Sequence, residues 1–265
     1  MPELPEVETI RLQLEKFLKG RKIIGVEIKT PKSFPNDPKL IMGAKITGVR
    51  RFGKVSAIDL DNGYSLLIHL KLTGQLLVNG VIGPHTRVII NLEKGQRLIF
   101  NDLRIFGWIR VVDSGQVTAD SYIKKLGPEF LKDLTLDRFK NILSKTARPI
   151  KIVLMDQEKI SGVGNIYAND ALWLARVDPR KPSRQLDDKT SGQLYEAVLE
   201  VLKKGIRYGG ASDQHYLKPD GTKGKYQDHF LVYGREKMPC LRCGAKIEKF
   251  FLGGRGTYFC PSCQK

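Results

Sequence analysis

Four cysteines near the end of the chain have the spacing of a metal site. The chain has no others, and they follow the pattern C-x2-C-x16-C-x2-C: Cys240, Cys243, Cys260 and Cys263. Two residues between thiolates let each pair grip one tetrahedral ion, as in structural zinc sites. Two disulfides are the alternative, but the MPELPEVETI start lacks the basic and apolar regions of a secretory signal. We therefore expect one structural zinc ion and a cytoplasmic location.

A glycine-rich hairpin is predicted between the two cysteine pairs. The segment FFLGGRGTYF places Arg255 between Gly254 and Gly256, and glycine lets a backbone approach a phosphate closely. An arginine on such a turn is suited to binding phosphate, whereas a merely solubilising arginine is the alternative. The basic setting of this module favours the phosphate contact.

The second residue is a candidate nucleophile. If Met1 is removed, Pro2 becomes a terminal secondary amine, and a terminal amine has a reference pKa of about 8, below that of lysine. A neutral amine can attack an aldehyde-like carbon to form an imine, and the nearby carboxylates of Glu3 and Glu6 could move protons. These residues also make a good helix start, so spacing alone leaves a purely structural role open.

A glycine turn ahead of a predicted helix is a candidate anion site. Gly162 and Gly164 precede Asn165, which we predict to cap a helix running to about Arg176. Such a turn presents N–H groups to an anion, and two helices joined by it resemble a nucleic-acid-binding helix–turn–helix variant. No strand precedes the turn and no G-K-[ST] follows it, so we expect no nucleotide cofactor.

The charge of the chain indicates a polyanionic partner. Its 265 residues include 45 Lys and Arg against 28 Asp and Glu, a formal net charge of +17, which suits nucleic acid, an anionic membrane or an acidic protein. No stretch approaches the roughly 20 apolar residues of a membrane span. The 41% hydrophobic content is that of a globular chain.

Three predicted regions must position these residues. A helix in the first twenty residues is followed by seven short β-rich segments up to about residue 113, which predict an antiparallel sandwich or barrel. Helical periodicity then takes over, and four helix starts are predicted at Thr135, Pro149, Asn165 and Asp187. We therefore predict an α+β fold with domains over residues 1–113, 125–225 and 231–265.

Together these segments resemble the formamidopyrimidine-DNA glycosylase family, which also includes endonuclease VIII. The resemblance covers essentially the whole chain, and its motifs occur in one order: PELPEVET at 2–9, FGK at 52–54, HLKLTG at 69–74, NDLRIFG at 101–107, LGPE at 126–129, MDQEKISGVGNIYANDAL at 155–172, VYGR at 232–235 and CPSCQ at 260–264. The PELPE opening and VYGR favour the formamidopyrimidine branch over endonuclease VIII.

The resemblance implies an N-terminal β-sandwich with an N-terminal helix, a helix–two-turn–helix domain with a lesion-recognition loop, and a four-cysteine zinc finger. It also implies a bifunctional DNA glycosylase and AP lyase of base excision repair. Such an enzyme excises oxidised purines, formamidopyrimidines and 8-oxoguanine, from damaged double-stranded DNA after flipping the nucleotide out of the stack. We expect a monomer in the bacterial cytoplasm, associated with the nucleoid through its substrate and independent of membranes.

The resemblance assigns five catalytic residues. The Pro2 amine attacks the sugar C1′ and displaces the base through a Schiff base, with Glu3 as the proton donor and Glu6 as a supporting carboxylate. Lys54 matches the lysine tied to β-elimination. Arg255 matches the finger arginine tied to δ-elimination and phosphate binding.

Further positions match residues that contact DNA. Asn165 matches a turn asparagine that holds a backbone phosphate, and His85 matches a DNA-contacting histidine, although a loop histidine is its alternative reading. Arg104, Phe106 and Leu72 match side chains that fill the gap left by the flipped base. Ordinary strand core is the alternative for the two apolar residues.

Three positions depart from the usual family pattern. Leu72 stands in place of a methionine, Lys71 in place of a glycine and Leu103 in place of a proline. A branched side chain is less adaptable than methionine, so these departures bear on damage preference. The basic DNA contact near the second helix of the helical domain is either Lys145 or Arg148, and we favour Arg148.

Two alternatives to an oxidised-purine glycosylase remain. An endonuclease VIII-like enzyme would act on oxidised pyrimidines, and a zinc-ribbon protein would bind DNA without catalysis. Pro2, Glu3 and Lys54 argue against the second alternative, because binding alone does not need a terminal amine.

Overall fold

The computed structural model describes residues 1–212 and 215–265. These residues divide into a first unit, residues 1–124 with 206–227, and a second unit, residues 125–205 with 228–265. No helix in the described ranges is both long enough and apolar enough to cross a membrane.

Helix α1, Leu4–Leu18, begins with a reciprocal cap. Glu3 is the N-cap residue, its carboxylate accepts from the Glu6 amide, and Glu6 Oε2 accepts from the Glu3 amide at 2.7 Å. The apolar face of the helix, which includes Ile10 and Leu14, is buried in the core of the first unit. The predicted N-terminal helix is therefore confirmed.

Two antiparallel sheets form the sandwich of the first unit. One has the order β1-β6-β7-β5 and the other the order β2-β3-β4-β8. Their bounds are β1 Ile23–Ile28, β2 Ile46–Phe52, β3 Val55–Leu60, β4 Tyr64–His69, β5 Gly74–Val78, β6 Thr86–Leu92, β7 Arg97–Asp102 and β8 Trp108–Asp113. Apolar side chains of both sheets share one core with α1. The prediction of a β-sandwich is confirmed.

The sandwich contains a strand that the sequence pattern did not indicate. The sequence predicts seven strands in this region, and β5 is not among them. Its residues GQLLV bury Leu76 and Leu77 in succession, so the strand lacks the alternation that marks a half-buried strand. It forms because β7 offers it a pairing edge, with Gly74 opposite Asp102.

The sheet β2-β3-β4-β8 is covered on its second face as well. Val55, Ala57 and Leu67 pack there against Val117 and Ile123, which follow β8. Strand β3 is therefore buried at nearly every position, unlike a strand with one solvated face.

Four helices, which belong largely to the second unit, begin near the predicted positions: α2 Leu136–Ser144, α3 Ile150–Met155, α4 Asn165–Leu174 and α5 Asp188–Arg207. Thr135 Oγ1 accepts from the Arg138 amide at 3.3 Å. Asp187 Oδ1 accepts from the Thr190 amide at 2.6 Å. Both predicted caps are therefore present, and Pro149 directly precedes α3.

The predicted cap of α4 is wrong by one residue. Gly164, with an extended backbone, is the N-cap, and Asn165 is the first helical residue. A glycine N-cap has no side chain to accept from the first turn, and the Asn165 amide group instead donates to the carbonyl of Gly256 at 3.1 Å. The Asn165 side chain therefore makes a tertiary contact with Gly256 and does not cap the helix.

The zinc module contains a two-stranded hairpin, β9 Glu248–Leu252 and β10 Arg255–Phe259. Gly253 and Gly254 form its tip with φ of 57° and 72°, a conformation that favours glycine. Arg255 is exposed directly after them, as the sequence predicts.

Candidate active site and nucleic-acid interface

The start of α1 places two buried carboxylates beside Pro2. Glu3 is 3% exposed and Glu6 is 1% exposed, and Pro2 is buried too. Buried carboxylates need hydrogen-bond donors, and the reciprocal cap supplies one backbone amide to each. The cap therefore holds both carboxyl groups next to the position predicted to be the nucleophile.

A distant turn completes the surroundings of Glu6. Glu6 Oε1 accepts from the Ala211 amide at 2.8 Å. The preceding Gly210 has φ of 81°, and a Cβ there would lie 2.7 Å from Glu6 Cγ. Only glycine fits this close approach in the left-handed region. The Tyr216 hydroxyl also donates to the Glu6 carbonyl at 3.4 Å.

Tyr216 is a neutral phenol in this environment. Burial, and then the negative charge of Glu6, raise the pKa of Tyr216 well above its usual value. The phenol therefore stays protonated at neutral pH and serves as a hydrogen-bond donor.

The turn that carries Lys54 is tied to α1 through an arginine. Lys54 lies between β2 and β3 after Gly53, which has φ of 54°. Arg51 bonds Glu8 Oε2 at 2.7 Å and the Gly53 carbonyl at 3.0 Å. Burial alone would raise the pKa of Glu8, but the hydrogen bonds from Arg11 and Arg51 outweigh it and lower the pKa. An ionised Glu8 thus anchors the Lys54 turn.

Asp102 joins the loops that carry the predicted gap-filling residues. Its Oδ1 accepts from the Thr73 hydroxyl, and its Oδ2 accepts from the Gly107 amide at 2.7 Å. The amide of Arg104 donates to Thr73 Oγ1 at 3.1 Å. The loop of Leu72 and the loop of residues 103–107 therefore share one fully buried carboxylate. Sequence reasoning missed Asp102, because the predicted strand ends at Phe100, whereas β7 continues to Asp102.

The side chains predicted to fill the gap are accessible. Phe106 is 48% exposed, so it is not strand core, and the Arg104 guanidinium lies 4.9 Å from the centre of its ring. Leu72 is partly exposed. An exposed aromatic ring beside a cation is able to stack against bases, and the gap-filling role of Phe106 stays a prediction.

His85 lies on the same sheet end as Asp102. Its carbonyl accepts from the Asp102 amide at 2.9 Å, and its side chain is exposed. A cavity of about 270 Å³ opens beside it, lined also by Thr73, Gln75 and Leu103. The structure thus brings His85 close in the fold to the loops of Leu72 and Arg104.

In the second unit, the glycine turn and the finger tip are directly joined. Asn165 donates to the Gly256 carbonyl, and Lys151 Nζ donates to that same carbonyl at 3.0 Å and to Thr257 Oγ1 at 2.8 Å. Lys151 is 0% exposed. Asn165 and Arg255, which the resemblance links to phosphate binding, therefore lie on segments in direct contact. Sequence reasoning missed Lys151, because its spacing within α3 carries no signal of the contact.

Helix α4 anchors the rest of the finger. Asn169 Oδ1 accepts from the Tyr258 amide at 2.8 Å, and Asp170 Oδ1 accepts from the amides of residues 231–233 at 3.0 to 3.2 Å. Arg242 donates to the carbonyls of Trp173 and Leu174 at 3.1 and 3.2 Å, at the C-terminal end of the helix. The motif NIYANDAL is thus structural as well as a candidate phosphate site.

Gln157 shapes the turn that precedes α4. Its side chain accepts from the Gly162 amide at 3.0 Å and donates to the carbonyls of Met155 and Val163, both at 2.8 Å. Gly162 has φ of 92°, a conformation that favours glycine. The Gln157 side chain therefore stabilises the turn of Gly162 through hydrogen bonds to its backbone.

The second predicted basic contact is already paired within the protein. Arg148 Nη1 lies 2.7 Å from Asp156 Oδ2, with the guanidinium half exposed. Lys145 lies at the end of α2 and is exposed. That Arg148, rather than Lys145, contacts DNA stays a prediction.

The four cysteine sulfurs form a compact cluster suited to one zinc ion. All four Sγ atoms lie within 4.8 Å of one another, with 3.9 Å between Cys240 and Cys263 and 3.5 Å between Cys243 and Cys260. A tetrahedral ion with Zn–S bonds of about 2.3 Å separates its sulfurs by about 3.8 Å. The cysteines form no disulfides, so the zinc prediction is supported over the disulfide alternative.

Comparisons with known families agree with this architecture. Residues 1–109 match the formamidopyrimidine-DNA glycosylase N-terminal domain, and residues 126–216 match the formamidopyrimidine-DNA glycosylase H2TH domain. Residues 239–265 match the zinc finger found in FPG and IleRS. The chain belongs to the formamidopyrimidine-DNA glycosylase family.

Individual relatives match over nearly their whole length. The formamidopyrimidine-DNA glycosylase of Pelotomaculum thermopropionicum is 42% identical, with 100% of this chain and 99% of the relative covered. The crystal structure of the MutM (Fpg) protein from Thermus thermophilus is 41% identical, with a TM-score of 0.92 over 99% of this chain and 98% of that one. The Lactococcus lactis Fpg in complex with DNA containing an abasic site is 35% identical, with a TM-score of 0.93 over 99% of each chain.

Proposed function

We propose that this chain is a bifunctional DNA glycosylase and AP lyase of base excision repair that excises oxidised purines from double-stranded DNA. The observation that carries this proposal is the pair of buried, amide-bonded carboxylates beside Pro2. The relatives named formamidopyrimidine-DNA glycosylase, and Lactococcus lactis Fpg solved with N7-benzyl-Fapy-dG DNA, support this choice of substrate.

The first step uses Pro2 as the nucleophile, and it requires that Pro2 be the first residue of the mature chain. The Pro2 nitrogen forms a bond to C1′ of the damaged nucleotide while the bond from C1′ to the base breaks. The departing base takes up the proton of the amine. The C1′–O4′ bond of the sugar then breaks, and Glu3, as the proton donor, protonates O4′. The product is a cationic imine, a Schiff base between the Pro2 nitrogen and C1′. Glu6 supports the geometry through its bonds to the Glu3 and Ala211 amides.

Strand cleavage follows from the chemistry of that Schiff base. The cationic nitrogen makes the C2′ proton acidic, and its loss expels the 3′ phosphate by β-elimination. A second elimination expels the 5′ phosphate. We assign Lys54 to the first elimination and Arg255 to the second, where its guanidinium also binds phosphate.

DNA binding is distributed over both units. We assign Asn165 to a backbone phosphate and His85 to the damaged strand, with Arg104, Phe106 and Leu72 filling the gap in the stack. Arg148 is the preferred basic contact in the helical region, at the expense of its pair with Asp156. Functionally, we divide the chain into a catalytic region 1–113, a DNA-binding region 125–225 with the lesion loop, and a zinc finger 231–265.

The site of action follows from the substrate. We place the enzyme in the bacterial cytoplasm, on nucleoid DNA, acting as a monomer with one structural zinc ion. Its net charge of +17 then makes binding steeply dependent on salt.

Borohydride trapping on a panel of duplexes tests the reaction. The panel carries 8-oxoguanine, a formamidopyrimidine, an oxidised pyrimidine or no lesion, and mass spectrometry first verifies a Pro2 terminus. We expect a covalent adduct at Pro2 with the purine lesions. The yield of adduct should be lower with the oxidised pyrimidine. No adduct from this protein would overturn the catalytic proposal, and a preference for the pyrimidine would favour an endonuclease VIII-like activity.

Two variants separate catalysis from binding. Pro2→Gly is expected to lose nicking while keeping its affinity for a lesion duplex. A chain that retains Met1 blocks the secondary amine, so it is expected to bind without forming an adduct. Equal nicking by the Met1-retaining chain would exclude Pro2 as the nucleophile.

A further inference from the structure

Lys71, directly before Leu72, has an unusual backbone conformation. It lies between β4 and β5 with φ of 50°, in the left-handed region where a residue with a Cβ is strained and glycine is not. A non-glycine residue persists there only when its surroundings hold it. The contacts of Lys71 therefore bear on the position of Leu72.

Two side chains, those of His69 and Tyr122, contact both Lys71 and each other. The Lys71 amide donates to His69 Nδ1 at 3.0 Å. His69 Nε2 lies 2.9 Å from the Tyr122 hydroxyl. The Lys71 ammonium lies 4.8 Å from the centre of the Tyr122 ring. Both the backbone and the side chain of Lys71 are thus held by the same pair of residues.

His69 stays neutral in this arrangement. Burial, and then the positive charges of Lys71 and Lys54, lower the pKa of His69 to about 3. Because Nδ1 accepts from the Lys71 amide, Nε2 carries the proton and donates to Tyr122. The imidazole therefore links the two residues over the whole physiological pH range.

Tyr122 is itself rigidly held. Its amide donates to Asp120 Oδ1 at 2.9 Å, and its ring meets the rings of His69 and Trp108 edge-on at 5.0 and 6.1 Å. Arg110 stacks on Trp108 at 4.3 Å from the ring centre. These contacts therefore hold the Tyr122 ring in one orientation beneath the Lys71 ammonium.

The other side of Leu72 is fixed as well. The Thr73 hydroxyl donates to the buried Asp102, and the Gly74 amide donates to the Leu70 carbonyl at 2.9 Å. A Cβ on Gly74 would lie 2.8 Å from Leu70 Cα, so the turn is as tight as a glycine permits. Leu72 thus projects from a turn that is held on both sides.

We propose that Lys71 is a positioning residue that holds Leu72 ready for insertion into the DNA stack, through its contacts with Tyr122 and His69. The proposal rests on the function proposed above. The proposal also explains why Lys71 and Leu72, two departures from the family pattern, occur together. Leucine adapts its shape less well than methionine, and a turn held by Lys71 keeps this leucine in one position.

The test measures insertion directly, with 2-aminopurine placed opposite an abasic site in a duplex. Unstacking of this base raises its fluorescence, so stopped-flow traces report insertion without any need for base excision. We expect Lys71→Gly to slow insertion roughly 3- to 30-fold, the range expected for losing a partly buried cation–π contact. Glycine tolerates φ of 50°, so this variant should fold, and a thermal melt verifies it.

Matched variants separate positioning from other roles. Lys71→Arg keeps a cation on the ring and is expected to stay within about 3-fold of the wild type. Tyr122→Leu should slow insertion as Lys71→Gly does, and the double variant should be no slower than the slower single variant, because both remove one interaction.

Direct contact of Lys71 with a phosphate is the competing outcome. Losing such a contact would lower the slope of log affinity against log salt by about one, whereas a positioning role leaves the slope unchanged. Unchanged insertion in Lys71→Gly, or the lowered salt slope, would overturn the proposal. A wild type that inserts normally but excises nothing would instead count against the proposed function alone.

Discussion

Glu6 Oε1 accepts a hydrogen bond of 2.8 Å from the amide of Ala211, which lies 205 residues further along the chain. The other oxygen of the same carboxylate accepts from the Glu3 amide at 2.7 Å. One buried side chain therefore caps α1 and holds the turn after α5. The start of the proposed active site and the segment at residues 209–212 are fixed to each other within the first unit.

Replacement of Gly210 by alanine should disturb this connection. Its φ of 81° strains any residue with a Cβ, and the new atom would meet Glu6 Cγ at 2.7 Å. We expect Gly210→Ala to lower the free energy of unfolding by about 2 to 4 kcal/mol, from left-handed strain and overpacking. Urea denaturation of the zinc-loaded protein measures the loss.

Gly221→Ala is the matched control. Gly221 has nearly the same φ, 80°, but nothing lies within 4 Å of its Cβ position. It should therefore cost only the backbone strain, about 1 to 2 kcal/mol. Equal losses in the two variants would mean that the contact with Glu6 contributes nothing.

His69 should make the stability of the protein fall in mild acid. Its pKa is lowered to about 3 by burial and by Lys71 and Lys54, whereas in the unfolded chain it is about 6.5. Below pH 6.5 the unfolded chain binds a proton that the folded protein does not, so stability is lost as the pH falls. Between pH 7.5 and pH 5 this loss should be about 2 kcal/mol.

His69→Gln isolates that contribution. The variant should be less stable than the wild type at pH 7.5 but should lose about 2 kcal/mol less between pH 7.5 and pH 5. Urea denaturation at both pH values provides the comparison, and His85→Gln controls for removal of an exposed histidine. A pH dependence in His69→Gln equal to that of the wild type would show that His69 titrates normally.

Lys151 should affect DNA binding without touching DNA. It is 0% exposed and bonds the Gly256 carbonyl and Thr257 hydroxyl beside the finger tip. Lys151→Met leaves both groups without this donor and loosens Arg255 and Asn165. We expect affinity for a lesion duplex to fall about tenfold in fluorescence anisotropy, on the scale of a lost charged hydrogen bond.

Lys203→Met provides the control for charge. Lys203 is exposed on α5, so its replacement removes the same positive charge without altering the hairpin. It should change affinity by no more than about twofold. A similar loss in both variants would indicate that Lys151 acts only through net charge.

Removal of zinc should unfold the zinc finger and leave the β-sandwich folded. Metal analysis is expected to find one zinc per chain, and Cys260→Ser should lose it, because the remaining three thiolates no longer close a tetrahedral site. Since structural zinc supplies much of the folding free energy of such modules, a chelator should abolish DNA binding while the β-sheet signal in circular dichroism persists. Retention of DNA affinity without zinc would contradict this role of the finger.

The sequence alone determined those features that depend on neighbouring residues. The spacing of Cys240, Cys243, Cys260 and Cys263 indicates one tetrahedral site, because each pair meets within a single turn. The caps at Thr135 and Asp187 are equally local, since a side chain reaches an amide three residues ahead. Alternation within single strands predicted most of the sandwich.

Only the tertiary structure decided the contacts between distant segments. Strand β5 exists because β7 offers it a hydrogen-bonding edge, and Asn165 turns from its predicted cap to Gly256 because the finger lies beside α4. The partners of Asp102 and Lys151 are likewise remote in sequence. A buried polar group must find a hydrogen bond, but its residue type does not say where the folded chain will bring the partner.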